Sequence, residues 1–273
     1  MSFVPVVPIS GYAGWTFLNR TMEKQQAAFT ASASIQRDED YFRERIGQID
    51  SAEDLVADRR LLQVALGAFG LDADIDNRFF IKKVLEDGTL SSDALSNKLA
   101  DKQYLEFSKA FGFGDNSELR TKEADFADTI LSAYETRQFE VAVGETDDSF
   151  RLALNAQREM PELAAKSNTE TTKWLSILGS EPLRTVFENA LGLPSSISAI
   201  DLDQQVTAFS QKAELVFGSS DPALFSDSEQ VDKLVRLYLL RSQAQTSTLS
   251  GGSVALQLLQ SSENASGTLS LLL

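Results

Sequence analysis

The sequence predicts an all-α fold, a multi-helix bundle with two related halves. Three observations carry that expectation. Apolar residues recur at three- and four-residue spacing along most of the chain, and no stretch alternates as a half-buried strand would. All six prolines fall at or outside the boundaries of the expected helices. The third is a pair of related stretches, DRRLLQVALGAFGL at Asp58–Leu71 and SEPLRTVFENALGL at Ser180–Leu193. Laid on each other, they share Leu61/Leu183, Val64/Val186, Ala68/Ala190, Gly70/Gly192 and Leu71/Leu193. Each starts on a side chain able to cap a helix and ends on Gly-Leu, a left-handed stop. The first is apolar nearly all round, so other elements must surround it.

Taken in order, residues 1–14 read as an extended N-terminal segment, since Pro5, Pro8 and two glycines oppose a regular helix. Residues 15–144 form the first helical half. Trp15 to about Ala33 is a helix whose seam is Trp15, Leu18, Met22 and Phe29. That seam packs on its own domain or serves as a partner-binding arm, and these four are the candidate partner-binding residues. Asp38–Ile46 is a second helix with Phe42 and Ile46 inward. Ser51-Ala-Glu-Asp54 has the form of a capping box. Helices follow over Asn77–Glu86, from Ser91-Ser-Asp93, and over Asp101–Phe111. Glu118–Val143 reads as one long helix, with Phe126, Ile130, Leu131 and Tyr134 on one side. Lys122, Glu123, Asp125, Asp128, Glu135 and Arg137 would be its solvated face.

Gly144–Asp148 is the expected break, and 145–246 the second half. Helices are expected over Ser149–Glu159, with a further turn from Pro161, and over Thr169–Leu178. Others run from Ser180 with Pro182 in its first turn, from Asp201, and over Ser228–Gln245; Asp221-Pro222 is a cap and first-turn pair. Residues 247–273 are a Ser/Leu-rich tail, expected to be mobile or weakly docked apart from a short helix at Val254–Leu259.

Composition excludes several kinds of chemistry. There is no Cys and no His, which removes disulfides, thiol nucleophiles, thiolate or imidazole metal ligands and histidine bases. The formal charge of −15 makes nucleic acid and anionic membrane surfaces poor partners and leaves protein partners. No apolar run approaches the about 20 residues that span a bilayer. The N-terminus lacks a basic region before its apolar stretch and does not read as a secretory signal. DADIDN after Leu71 alternates acids as a calcium loop does, but Asn77 and Lys83 stand where such a loop needs Gly and Glu. Phe111-Gly-Phe-Gly114 lacks the strand and the lysine of a phosphate loop and reads as a helix stop. Asp38/Asp40, Asp147/Asp148 and Asp201/Asp203 are paired acids, each expected to cap a helix start rather than to work as a glycosidase or magnesium site. No catalytic, cofactor-binding or metal site is assigned, and no cofactor is expected.

Together the stretches GYAGWTFLNRT, DEDYFRERI, SAEDLVADRRLLQVALGAFGLD, FIKKVLEDGT, KAFGF, PLRTVFENALGLP, DLDQQ and VRLYLLRSQ give a chain that resembles a bacterial family known as domain of unknown function 1217. The resemblance spans roughly residues 10–260 and brings no catalytic residues. Members resembling this chain are commonly encoded near flagellar genes in alphaproteobacteria. The resemblance therefore implies a non-enzymatic structural or interaction protein associated with the flagellum, with flagellar components as partners, cytoplasmic or exported to the flagellum. The alternatives are a cytoplasmic export chaperone or assembly factor and, from another class, an enzyme using acidic side chains. The oligomeric state is left open.

Overall fold

A computed structural model describes residues 3–115 and 119–245. The tail and the start of the long helix expected from Glu118 lie outside them. Helices and short 3-10 turns make up the regular structure, with no strand among the described residues. The first half holds α1 (Gly11–Thr30), α2 (Ala33–Arg45), α3 (Ala52–Ala57), α4 (Arg59–Gly67), α5 (Arg78–Asp87), α6 (Leu95–Lys98), α7 (Gln103–Phe111) and α8 (Phe126–Gly144). The second holds α9 (Asp148–Ala165), α10 (Glu170–Gly179), α11 (Glu181–Leu191), α12 (Leu202–Phe217) and a last helix, α13, over 228–245. No helix among the described residues is long and apolar enough to cross a membrane.

The apolar helix is α4. Leu61, Leu62, Val64, Ala65, Leu66 and Ala68 are buried, and Gln63 between them is exposed. Asp58 caps it by accepting from the amides of Arg60 and Leu61 at 3.0 and 3.2 Å. The Ser51 cap of α3 is also present, accepting from the Asp54 amide at 3.1 Å. At the far end Gly70 has φ +72°, and the Leu71 amide returns to the Leu66 carbonyl at 3.0 Å. The matching helix α11 ends the same way: Gly192 has φ +68°, and the Leu193 amide reaches Glu188 O at 2.8 Å. A left-handed glycine followed by this long return bond satisfies carbonyls that the helix leaves open.

The likeness extends to neighbours. α4 packs on α2 and α3 as α11 packs on α9 and α10, and α3 meets α5 as α10 meets α12. A guanidinium also stands by each glycine. A Cβ on Gly70 would lie 3.0 Å from Arg137 Nη1, and one on Gly192 would lie 2.9 Å from Arg241 Nη1. One apolar core runs through both halves, because α8 and α9 pack against each other across the turn at 145–147.

Several boundaries differ from the sequence expectation. α1 begins at Gly11, four residues early, and ends at Thr30; α2 then starts at Ala33 rather than Asp38. Asp38 and Asp40 therefore lie inside α2, not at a helix start. The long helix up to Val143 is broken: a 3-10 turn at Arg120–Lys122 precedes α8. The buried Thr121 hydroxyl donates to Ile49 O at 2.8 Å and ties that turn to the chain after α2. Pro161 lies within α9. Its missing amide costs the helix one bond, but the buried Met160 and Ala164 on either side keep α9 seated on the core.

The four candidate partner-binding residues of α1 lie mostly inward. Trp15, Leu18 and Phe29 are buried, and Met22 is partly buried against the same core. Trp15 stacks on Phe150 at 6.5 Å between ring centres, and Phe29 meets Phe139 edge-on at 5.7 Å. The seam of α1 is used to cover α8 and α9.

Candidate functional site

The α8–α9 hairpin joins the halves, and its position explains the site. α8 packs against α1, α2, α4 and α9, while α9 carries α10 and α11. Asp128, Thr129 and Ser132 of α8 stay exposed, but Glu140 is buried where α8 meets α9. A charge on that covered side must be paired. Arg158 of α9 grips Glu140 of α8 through two bonds, Nε to Oε1 at 2.7 Å and Nη2 to Oε2 at 2.9 Å. Its third nitrogen reaches Glu159 Oε1 at 3.1 Å, an oxygen that also accepts from Asn155 Nδ2 at 3.1 Å. Burial acts to lower the pKa of Arg158, but the hydrogen bonds and charge of Glu140 outweigh it, and the guanidinium is held above its ordinary value.

Arg137, one turn before Glu140, is treated differently. Its side chain is 17 % exposed, and among the described residues its one ion pair is with Glu159 at 3.5 Å. Burial, and then the charge of Arg158, pull its pKa below the ordinary value. Arg137 faces a groove of about 740 Å³ at the seam between the halves, within the usual size range of ligand pockets. The groove runs from the end of α4 and from α7, along α8 and α9, to α10 and the start of α11. Phe69 and Leu105 supply apolar wall, and Asp101 lies nearby with its carboxyl pKa raised by burial. Ser180 completes the far end. Its hydroxyl stands at the start of α11 but makes no capping bond, and it is buried without a partner.

A second polar cluster lies between α2 and α8. Glu39 is 6 % exposed and its Oε1 receives no hydrogen bond, while Oε2 accepts from Gln36 Nε2 at 3.3 Å. Its neighbour Glu135 accepts from the Thr30 hydroxyl at 3.4 Å. Burial first, then the charge and hydrogen bonding of Glu135, raise Glu39 from 4.5 to about 7. A second carboxylate beside a buried one disfavours its charged form.

The other acids singled out from the sequence do not converge. Asp74 accepts from Asn77 at 2.6 Å and from Tyr104, Asp72 from Gln138 at 2.8 Å, and Asp76 pairs with Arg59 at 2.6 Å. Each is turned to a different partner, and no group of three or more acids placed for a metal ion occurs among the described residues. Asp147 does cap α9, accepting from the Ser149 amide at 3.0 Å, whereas Asp201 makes no side-chain capping bond. Gly112 of the Phe-Gly-Phe-Gly stretch is the left-handed stop of α7, and Phe111 is buried between Phe107 and Phe126.

None of the groove residues was marked from the sequence as a site. Arg137 was assigned to a solvated face, and the only warning was the mixture of charged and apolar residues in QFEVAV, where no polar face can be drawn.

The family described as "Protein of unknown function (DUF1217)" matches residues 68–231. The chain is similar to a protein of known crystal structure, AGR_C_984 from Agrobacterium tumefaciens, with 26% identity and a TM-score of 0.71. That likeness covers 89% of this chain and 99% of the other. Among curated proteins none matches.

Proposed function

We propose, on the premise that this chain belongs to the DUF1217 family of proteins of unknown function, that it is a non-enzymatic interaction protein working with the bacterial flagellum. The observation that carries the interaction reading is the seam groove. Its charged side chains are mostly matched with each other, as Arg158 is with Glu140 and Glu159, and such matched pairs hold a surface rather than activate a nucleophile. The flagellar part rests on the resemblance to chains encoded beside flagellar genes. Deleting the encoding gene tests it: the expected result is impaired swimming or altered filaments, restored by the intact gene. Normal swimming with normal filaments overturns the reading. A tagged copy then separates its two forms. Recovery with purified filaments or the medium supports an exported component, and confinement to the cytosol supports an export chaperone or assembly factor.

A further inference from the structure

The seam groove contains hydrogen-bonding capacity that the fold leaves unused. Arg137 has five N–H donors and gives none of them to a described residue at hydrogen-bond distance; its contact with Glu159 is an ion pair at 3.5 Å. The repeat in the fold makes this informative. Arg241, beside Gly192, donates to Ala190 O at 2.6 Å and so closes the end of α11. Arg137 stands at the same separation from the matching Gly70 but closes nothing. At the other end of the groove the Ser180 hydroxyl is buried and unpaired, although its counterpart Asp58 caps its helix. Both departures from the repeat line the same groove.

The ligand chemistry follows from what surrounds Arg137. The planar guanidinium fork matches a carboxylate. The internal carboxylates are committed elsewhere: Glu140 takes two bonds from Arg158, and Glu159 takes one from Arg158 and one from Asn155. Phe69 and Leu105 offer apolar surface beside it. Lys102, Lys166 and Lys173 line the groove together with Asp101, Glu106 and Glu162, a mixed lining rather than the run of cations that a polyanion such as nucleic acid needs. The groove is lined from the end of α4, α7, α8, α9, α10 and α11, so that a peptide side chain on Arg137 leaves its neighbours within reach of other groove residues. Resting on the interaction reading above, we infer that this groove holds a peptide segment of a protein partner, which sets an acidic side chain on Arg137 and an adjacent apolar side chain against Phe69 and Leu105.

A random-peptide display library selected on the purified full chain tests this. The enriched peptides are expected to place Asp or Glu next to Leu or Phe. A synthetic peptide of that consensus should bind roughly tenfold to a hundredfold more weakly to Arg137→Met, and equally well to Lys24→Ala on the exposed face of α1. Replacing the acid of the peptide by its amide should weaken binding to the unaltered protein by a similar factor, a measurement independent of how the variant folds. A photo-crosslinker on the apolar residue of the peptide should mark Phe69 or Leu105. Lack of enrichment, a consensus without an acid, affinity indifferent to the amide, or crosslinks away from the groove each overturn the inference. All of these are read apart from the motility phenotype, so failure of the peptide chemistry and failure of the flagellar reading are separate results.

Discussion

Glu39→Gln should remove most of the pH dependence of stability near neutrality. Glu39 lies between α2 and α8, faced by Glu135 from α8 and flanked by Arg43 and Asp40 on its own helix. Burial and Glu135 raise its pKa from 4.5 to about 7, with Arg43 opposing and Asp40 adding to the rise. The folded state therefore binds its proton more tightly than the unfolded chain does. The stabilisation is complete below about pH 4.5 and is lost as pH climbs to about 7. At about 1.4 kcal/mol per pKa unit, the change across that window is on the order of 3 kcal/mol. This chain is well suited to the measurement because it has no histidine, the usual source of titration in this range. Urea denaturation followed by circular dichroism from pH 5 to 8 should show the wild-type protein losing stability with rising pH. The glutamine variant, whose amide can donate to Glu135 at any pH, should stay nearly flat and be the more stable of the two at pH 8. Parallel profiles would refute the raised pKa of Glu39.

Other outcomes follow from the packing. Leu66→Ala and Phe187→Ala, both at fully buried positions, should each cost roughly 2–5 kcal/mol in denaturant unfolding; losses under about 1 kcal/mol in both would contradict their place in the core. Asp58→Ala removes the cap of α4 and should cost about 1 kcal/mol by the same measurement. Arg241→Met loses a charge-assisted bond to Ala190 O and should cost about 1.5–3 kcal/mol, whereas Arg137→Met loses no hydrogen bond and should cost less; equal melting temperatures for the two variants would speak against their different roles.

What the sequence made legible was local. The cap at Asp58, the stop at Gly70, the burial between them and the matching stretch at Ser180–Leu193 are written in a few adjacent residues. The seam groove is not, because it depends on where α9 lies relative to α8. Arg137 stands among charges that would suit an exposed face, and only the packing of α9 and its neighbours against that part of α8 turns it into a largely buried cation. That Trp15, Leu18, Met22 and Phe29 pack inward was illegible for a related reason. An apolar seam has the same spacing whether it meets a partner or its own domain, and here α8 and α9 are near enough to take it.

The unequal use of Arg137 and Arg241 bears on how such a protein can change over time. Arg241 is bound into the end of α11, so altering it weakens the fold. Arg137 is spared that duty, so altering it costs the fold no hydrogen bond. Of two similar helix ends, one holds the scaffold and the other is left free to change.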